Sequence, residues 1–310
     1  MHSISLYHLR AYNSNRKYSD GTHYAPLDDA NGKDLVNIFK NYVSSLVKKD
    51  FKRDEDEKSV LSFMPYNESA LGRCVWGVVN TGNYGVKGSI RDATTGDLKY
   101  SKDPDDADIK ERFYLLFSPS GKNEAIVVLH GISGDGIKSL LHKDLGGIFK
   151  KETGLTLQFN PVTYEKAVQQ WMDAEVKAVK AVGFLPYSDK TDVLKGMGHK
   201  HSELILKPKR KGTFGKLSKF KKGQRSDAVE FLETHCKDLK AVVEMDGKKR
   251  VFRIGGTRQN PVFKLDLDDC VTVDDGVPDF DEMYDWVVEV VNELSMRVYP
   301  GQKVKLCPAR

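Results

Sequence analysis

The stretch "ERFYLLFSPSGKNEAIVVLHG", residues 111–131, constrains the fold of this chain more than any other. It reads as two apolar strands joined by a Pro-Ser-Gly-Lys-Asn turn, and strands need partners. The chain supplies them on both sides. "SISLYHLRAY" alternates as an opening strand with Ile4, Leu6 and His8 on one face. "SVLSFMPYN", "GRCVWGVVNTGNYG" and "LTLQFNPV" are further strand-like runs, and Thr-Gly-Asp in "DATTGDLKY" marks a hairpin. "EVKAVKAVGFLP" is open between a helix and a strand, and its valines and Pro186 favour the strand. "SELILKP" and "NPVFKLDLDD" are strands, and "LKAVVEMDGKKRVFRIGG" is the clearest hairpin, with Asp246-Gly247 at its turn.

Helices interrupt these strands. "LVNIFKNYVSSLV", from Leu35 to Val47, has apolar residues at helical spacing. Further helices are expected from about Ile137 to Lys151 with Gly154 as the stop, over "TYEKAVQQWMDA", over Ser226–His235, and from Phe280 to Val298 capped by Asp279. "DFKRDEDEKS" reads as a charged connector. The expected fold class is α+β, with mixed strands and helices in two lobes. Residues 1–188 form the β-rich N-terminal domain. Residues 189–310 form a smaller lobe with a hairpin, a long final helix and the basic segment 203–225.

No apolar run reaches the ~18 residues a membrane-spanning helix needs, and the first residues lack the pattern of a secretory signal. The four cysteines, Cys74, Cys236, Cys270 and Cys307, are scattered, so free thiols in a reducing cytoplasm are expected.

Net charge is +5, but its placement is more informative. Residues 1–120 balance 17 basic against 17 acidic side chains, residues 121–225 carry 20 against 10, and residues 226–310 carry 12 against 17. The surplus peaks in "ELILKPKRKGTFGKLSKFKKGQR", residues 203–225, with nine lysines and arginines and the single acid Glu203. Lys207, Lys209, Arg210, Lys211, Lys216, Lys219, Lys221, Lys222 and Arg225 are therefore the candidate nucleic-acid-binding residues. Such clusters hold phosphates through counterion release, independent of base sequence. Seven lysines against two arginines favour backbone holding over bidentate base readout. Phe214 and Phe220 either stack on unpaired bases or anchor the segment on the fold. A solvated loop is the competing reading.

The other motifs are weaker. In "LHGISGDGIKSLL" Ile137 separates Gly136 from Lys138, which breaks the phosphate-loop pattern, and Asp135 stands where the G-x-S-x-G elbow around Ser133 needs its second glycine. A glycine-rich turn with at most an anion contact at the helix start is expected there. "DPDDAD" lacks the positions of a calcium loop. Asp266 and Asp268 share one strand face and are the better carboxylates for a metal-dependent nuclease, against the alternative of a solvated face. His199 and His201 lack a third ligand in sequence. No catalytic residue, metal site or cofactor is assigned.

The order of elements, with "SELILKPKRKGTF" and the hairpin "KAVVEMDGKKRVFRIGG" before a long helix, is similar to phage-exclusion proteins of the RexA type and related bacterial antiphage proteins, over about residues 110–298. The most specific piece is "ELILKPKRK". The resemblance implies a dimeric, two-lobed DNA-binding sensor in abortive infection, acting on a separate membrane-protein effector and without catalysis. It transfers to Lys207, Lys209, Arg210 and Lys211. The expectation is a cytoplasmic antiviral-defence protein, a homodimer that binds duplex DNA with weak sequence preference and does not itself span a membrane. A nuclease effector and an interaction module for an acidic partner are the alternatives.

Overall fold

The computed structural model describes residues 2–47, 51–69, 73–133, 135–162, 171–183, 203–209, 212–220, 229, 232, 236, 238–245, 248–254, 264–267 and 271–298. In chain order the first elements are β1 (His2–Tyr12), β2 (Tyr24–Ala25), α1 (Leu35–Val47), β3 (Lys52–Asp54), β4 (Ser59–Phe63), β5 (Asn67–Glu68) and β6 (Cys74–Asn83). There follow β7 (Gly88–Arg91), β8 (Leu98–Lys102), β9 (Asp108–Phe117), β10 (Ala125–Ile132), β11 (Asp135–Gly136), α2 (Lys138–Thr153) and β12 (Thr156–Pro161). The chain continues through β13 (Val176–Val182), β14 (Glu203–Leu206), a 3-10 turn (Leu217–Phe220), β15 (Asp238–Met245) and β16 (Lys248–Ile254). It ends with β17 (Lys264–Asp266), β18 (Val273–Asp274), β19 (Val277–Pro278) and α3 (Phe280–Val298).

Fifteen of these strands form one sheet, whose main path runs β14-β13-β15-β16-β17-β1-β10-β9-β6-β4-β3. Every pairing among the described residues is antiparallel. The fold is α+β, as the alternation of helical and strand periods indicates. β1 is its hub. One edge of β1 pairs with β10 from His2 to Leu9; its other edge pairs with β17 at Ser3–Ser5 and then with β12 at Tyr7–Tyr12.

Alternation along the strands feeds two cores, one on each face. Ile4 and Leu6 of β1, Phe113, Leu115 and Phe117 of β9, and Ile126 and Val128 of β10 pack with Met283, Tyr284, Val287 and Val291 of α3. Tyr7, Leu9 and Ala11, Tyr114 and Leu116, and Val127 and Leu129 pack instead with Phe39 and Val43 of α1 and Leu141, Leu145 and Phe149 of α2. The run "ERFYLLF" is apolar at consecutive positions because both faces are covered there.

The helix ends follow from local chemistry. Asp34 caps α1 by accepting the Val36 amide at 2.8 Å, and Asp279 caps α3 by accepting the amides of Asp281 and Glu282 at 2.9 and 3.0 Å. Gly154 ends α2 at φ 74°, with its amide donating to the Lys150 carbonyl. Gly82 lets β6 and β9 approach, since a Cβ there would sit 2.6 Å from the Asp108 carbonyl oxygen.

Several expectations are met in detail. The Thr-Gly-Asp hairpin is β7–β8, and in β15–β16 Met245 lies opposite Lys248, leaving two residues between the strands. "EVKAVKAV" is the strand β13. One expectation is corrected: "DFKRDEDEKS" is not a plain connector, because Lys52–Asp54 pairs with β4 as the charged edge strand β3. A charged edge protects an open sheet from further pairing, so its polarity hid its strand. The expected helices at 163–174 and 226–235 and the lobe boundary at 188/189 lie mostly or wholly outside the described residues. Before that boundary, β13 pairs with β14 and β15 from after it. Cys74 is buried and Cys236 half-buried. Among the described residues no helix is long and apolar enough to cross a membrane.

Candidate nucleic-acid interface

The basic segment begins as β14, the outermost strand at one end of the sheet path. Leu204 and Leu206 pack against the core, while Ile205 and Lys207 are exposed, the period-2 pattern of an edge strand. The strand stops at Leu206, before the Lys207-Pro208 step, because proline offers no amide to continue a ladder. Lys209 is exposed in the following turn, which closes with the Gly212 amide donating to the Lys209 carbonyl at 2.7 Å.

From there the chain is tied to the start of β13. The Phe214 amide donates to the Val176 carbonyl at 3.1 Å, the Val176 amide to the Gly215 carbonyl at 2.9 Å, and the Leu217 amide to the Ala174 carbonyl at 3.0 Å. Lys216 bridges Glu175 in an antiparallel pair. Gly215 takes φ 84°, a conformation that suits glycine and lets the chain turn back. The 3-10 turn then buries Leu217 and Phe220 and leaves Lys216 and Lys219 exposed, three residues apart on the same side of the turn. The Lys219 amide donates to the Lys216 carbonyl at 3.0 Å.

Four of the nine candidate residues are thus placed: Lys207, Lys209, Lys216 and Lys219, all exposed on a stretch held to the sheet by main-chain hydrogen bonds. Arg210, Lys211, Lys221, Lys222 and Arg225 lie outside the described residues. The two phenylalanines divide their roles: Phe220 is buried and anchors the turn, whereas Phe214 is 37% exposed.

Tertiary structure adds neighbours that linear charge counting missed. Asp173 lies 3.4 Å from the Lys216 ammonium, and Glu175 pairs at 2.8 Å with Lys177. Both pairs are solvent-exposed, so each contributes well under about 1 kcal/mol and leaves the lysines available to phosphate. The signal that could have found Lys177 is its place in the β13 alternation.

The other candidates behave differently. Asp266 is neither a solvated strand-face acid nor an open metal ligand: it is buried, with its carboxylate 3.1 Å from the equally buried Lys240 ammonium. Asp268, His199 and His201 lie outside the described residues. Among the described residues no three His, Cys, Asp or Glu side chains gather as a metal site would require. In "DPDDAD", Asp105 pairs with Arg53, Asp108 with Lys102, and Asp106 accepts from the Tyr100 hydroxyl. Ser133 sits at φ 52° in a two-residue hairpin turn between β10 and β11, in which Ile132 faces Asp135. Left-handed backbone is what such a turn demands. A cavity of about 200 Å³ beside it is lined by Thr81, Lys110, Arg112, Asp108 and the start of α2. Arg112 is buried there, and its Nε donates to the Thr81 hydroxyl at 2.9 Å.

Compared with protein families and with curated proteins, the chain matches no family model and no curated protein.

Proposed function

We propose that this chain is a cytoplasmic DNA-binding protein of bacterial antiphage defence, holding duplex DNA through its phosphate backbone. The observation that carries the DNA reading is the exposed set Lys207, Lys209, Lys216 and Lys219 on a segment pinned to β13. Pinning matters because lysines on a fixed scaffold lose less conformational entropy on meeting a polyanion than lysines on a free loop. The defence role, the homodimer and the membrane-protein effector rest on the similarity of "ELILKPKRK" and the following hairpin to RexA-type proteins. The nuclease alternative is weakened by Asp266, whose carboxylate is committed to Lys240.

Titration of a mixed-sequence duplex at rising salt tests the reading. Binding should weaken along a log–log slope of about −0.9 per phosphate neutralised. The Lys209→Glu, Lys219→Glu variant should bind more weakly at every sequence, with a slope shallower by about one for each phosphate that its lysines no longer neutralise. Absence of binding at low salt, or equal binding by this variant, would refute it.

A further inference from the structure

We infer that Phe214 is a stacking platform for an unpaired base, so that the surface holds single-stranded or locally opened DNA as well as duplex; this rests on the DNA reading above. A side chain used for anchoring should be buried, and in this segment Leu217 and Phe220 already fill that role. Phe214 does not join either core, and more than a third of it is open to solvent. The main chain that carries it is nonetheless fixed. Its own amide and the Gly215 carbonyl that follows both bond to Val176, and the Gly215 amide donates to the Thr213 hydroxyl at 3.2 Å.

The surroundings name the ligand. Exposed Lys209 precedes the ring, and exposed Lys216 and Lys219 follow it within five residues of sequence. An open aromatic ring on a segment rich in exposed lysines is the pairing that grips single strands, the ring taking a base and the lysines its phosphates. A purely apolar partner would desolvate Lys209, Lys219 and the exposed Lys216–Asp173 pair, which disfavours a hydrophobic peptide. Duplex DNA hides its base faces, so the ring adds nothing to duplex binding and acts only where a base is free.

The test measures anisotropy of labelled oligothymidine, of an abasic oligonucleotide of the same length, and of a duplex, with the wild type and three variants. Phe214→Ala should bind oligothymidine about 5- to 150-fold more weakly while duplex binding is unchanged. Phe214→Leu, which keeps apolar bulk, should lose as much. Phe214→Trp should retain affinity, and its added fluorescence should be quenched by oligothymidine and not by the abasic strand. Equal oligothymidine binding by wild type and Phe214→Ala, rescue by Phe214→Leu, or equal affinity for the abasic strand would each overturn the stacking role. If the lysine-dependent duplex binding stands while these outcomes occur, only the platform falls. If the wild type binds none of the three probes, the DNA reading falls and the platform with it.

Discussion

At the scale of single residues, burial decides what a charge or an imidazole does. Lys240 and Asp266 face away from the apolar side chains of their own strands, Leu239, Ala241 and Leu265, yet both are almost fully enclosed. Removing one partner of a buried ion pair costs about 3–5 kcal/mol, whereas replacing both with apolar side chains is often close to neutral. Asp266→Ala should therefore lower the urea midpoint sharply and Lys240→Met with Asp266→Leu much less. A purely surface pair would give small and equal effects. The buried histidines act through protons. His8 is lowered to about 4 by burial and by the Arg10 charge; His130 is lowered to about 3 by burial first, then by His2 and Arg112. His130 Nε2 and His2 Nδ1 share one hydrogen bond at 3.0 Å. Because the folded values lie below the unfolded value of about 6.5, the unfolded chain binds more protons in the window between them. These histidines leave stability unaffected above that value; as pH falls below it, stability drops by up to about 1.4 kcal/mol per pH unit for each. Urea midpoints should fall from pH 7 to pH 5, and the His8→Gln, His130→Gln variant should show a shallower fall over that interval.

At the scale of elements, caps and edges carry the specification. Asp279 satisfies two amides at the start of α3, the helix that covers one face of the sheet. Asp279→Ala should cost about 1 kcal/mol, and Asp279→Ser, another good cap, should restore most of it; thermal melts distinguish them. The strand ends obey the same local logic. β14 stops before Lys207-Pro208, so the basic segment emerges from an edge and not from inside the sheet. This is why the charge run and the strand could both be read from "ELILKPKRK", while the antiparallel bridge between Lys216 and Glu175 could not. That bridge joins positions some forty residues apart, and no local pattern encodes the pairing.

At the scale of the whole molecule, β1 joins strands from both ends of the chain. It pairs with β10 and β12, which precede residue 188, and with β17, which follows it, and its Ile4 and Leu6 belong to the core that includes α3. Leu6 is fully buried, so Leu6→Ala should cost about 2–5 kcal/mol. The loss should appear as one lowered transition, coincident by far-ultraviolet dichroism and tryptophan fluorescence. Two separated transitions would mean that the halves unfold independently despite the shared strand.

Periodicity and turn chemistry by themselves determined the α+β class, β1, the β7–β8 and β15–β16 hairpins, the Gly154 stop and the Asp279 cap. Each of these depends on residues within a few positions of one another. Composition by itself also located the basic surplus at 203–225. Only the tertiary structure decided that β13 lies between β14 and β15, that Asp266 is a buried partner of Lys240, and that Phe220 is covered while Phe214 is open. The physical reason is that strand order, burial and ion pairing depend on which distant segments pack together. A carboxylate or a phenyl ring has the same local sequence signature whether water or a core stands opposite it.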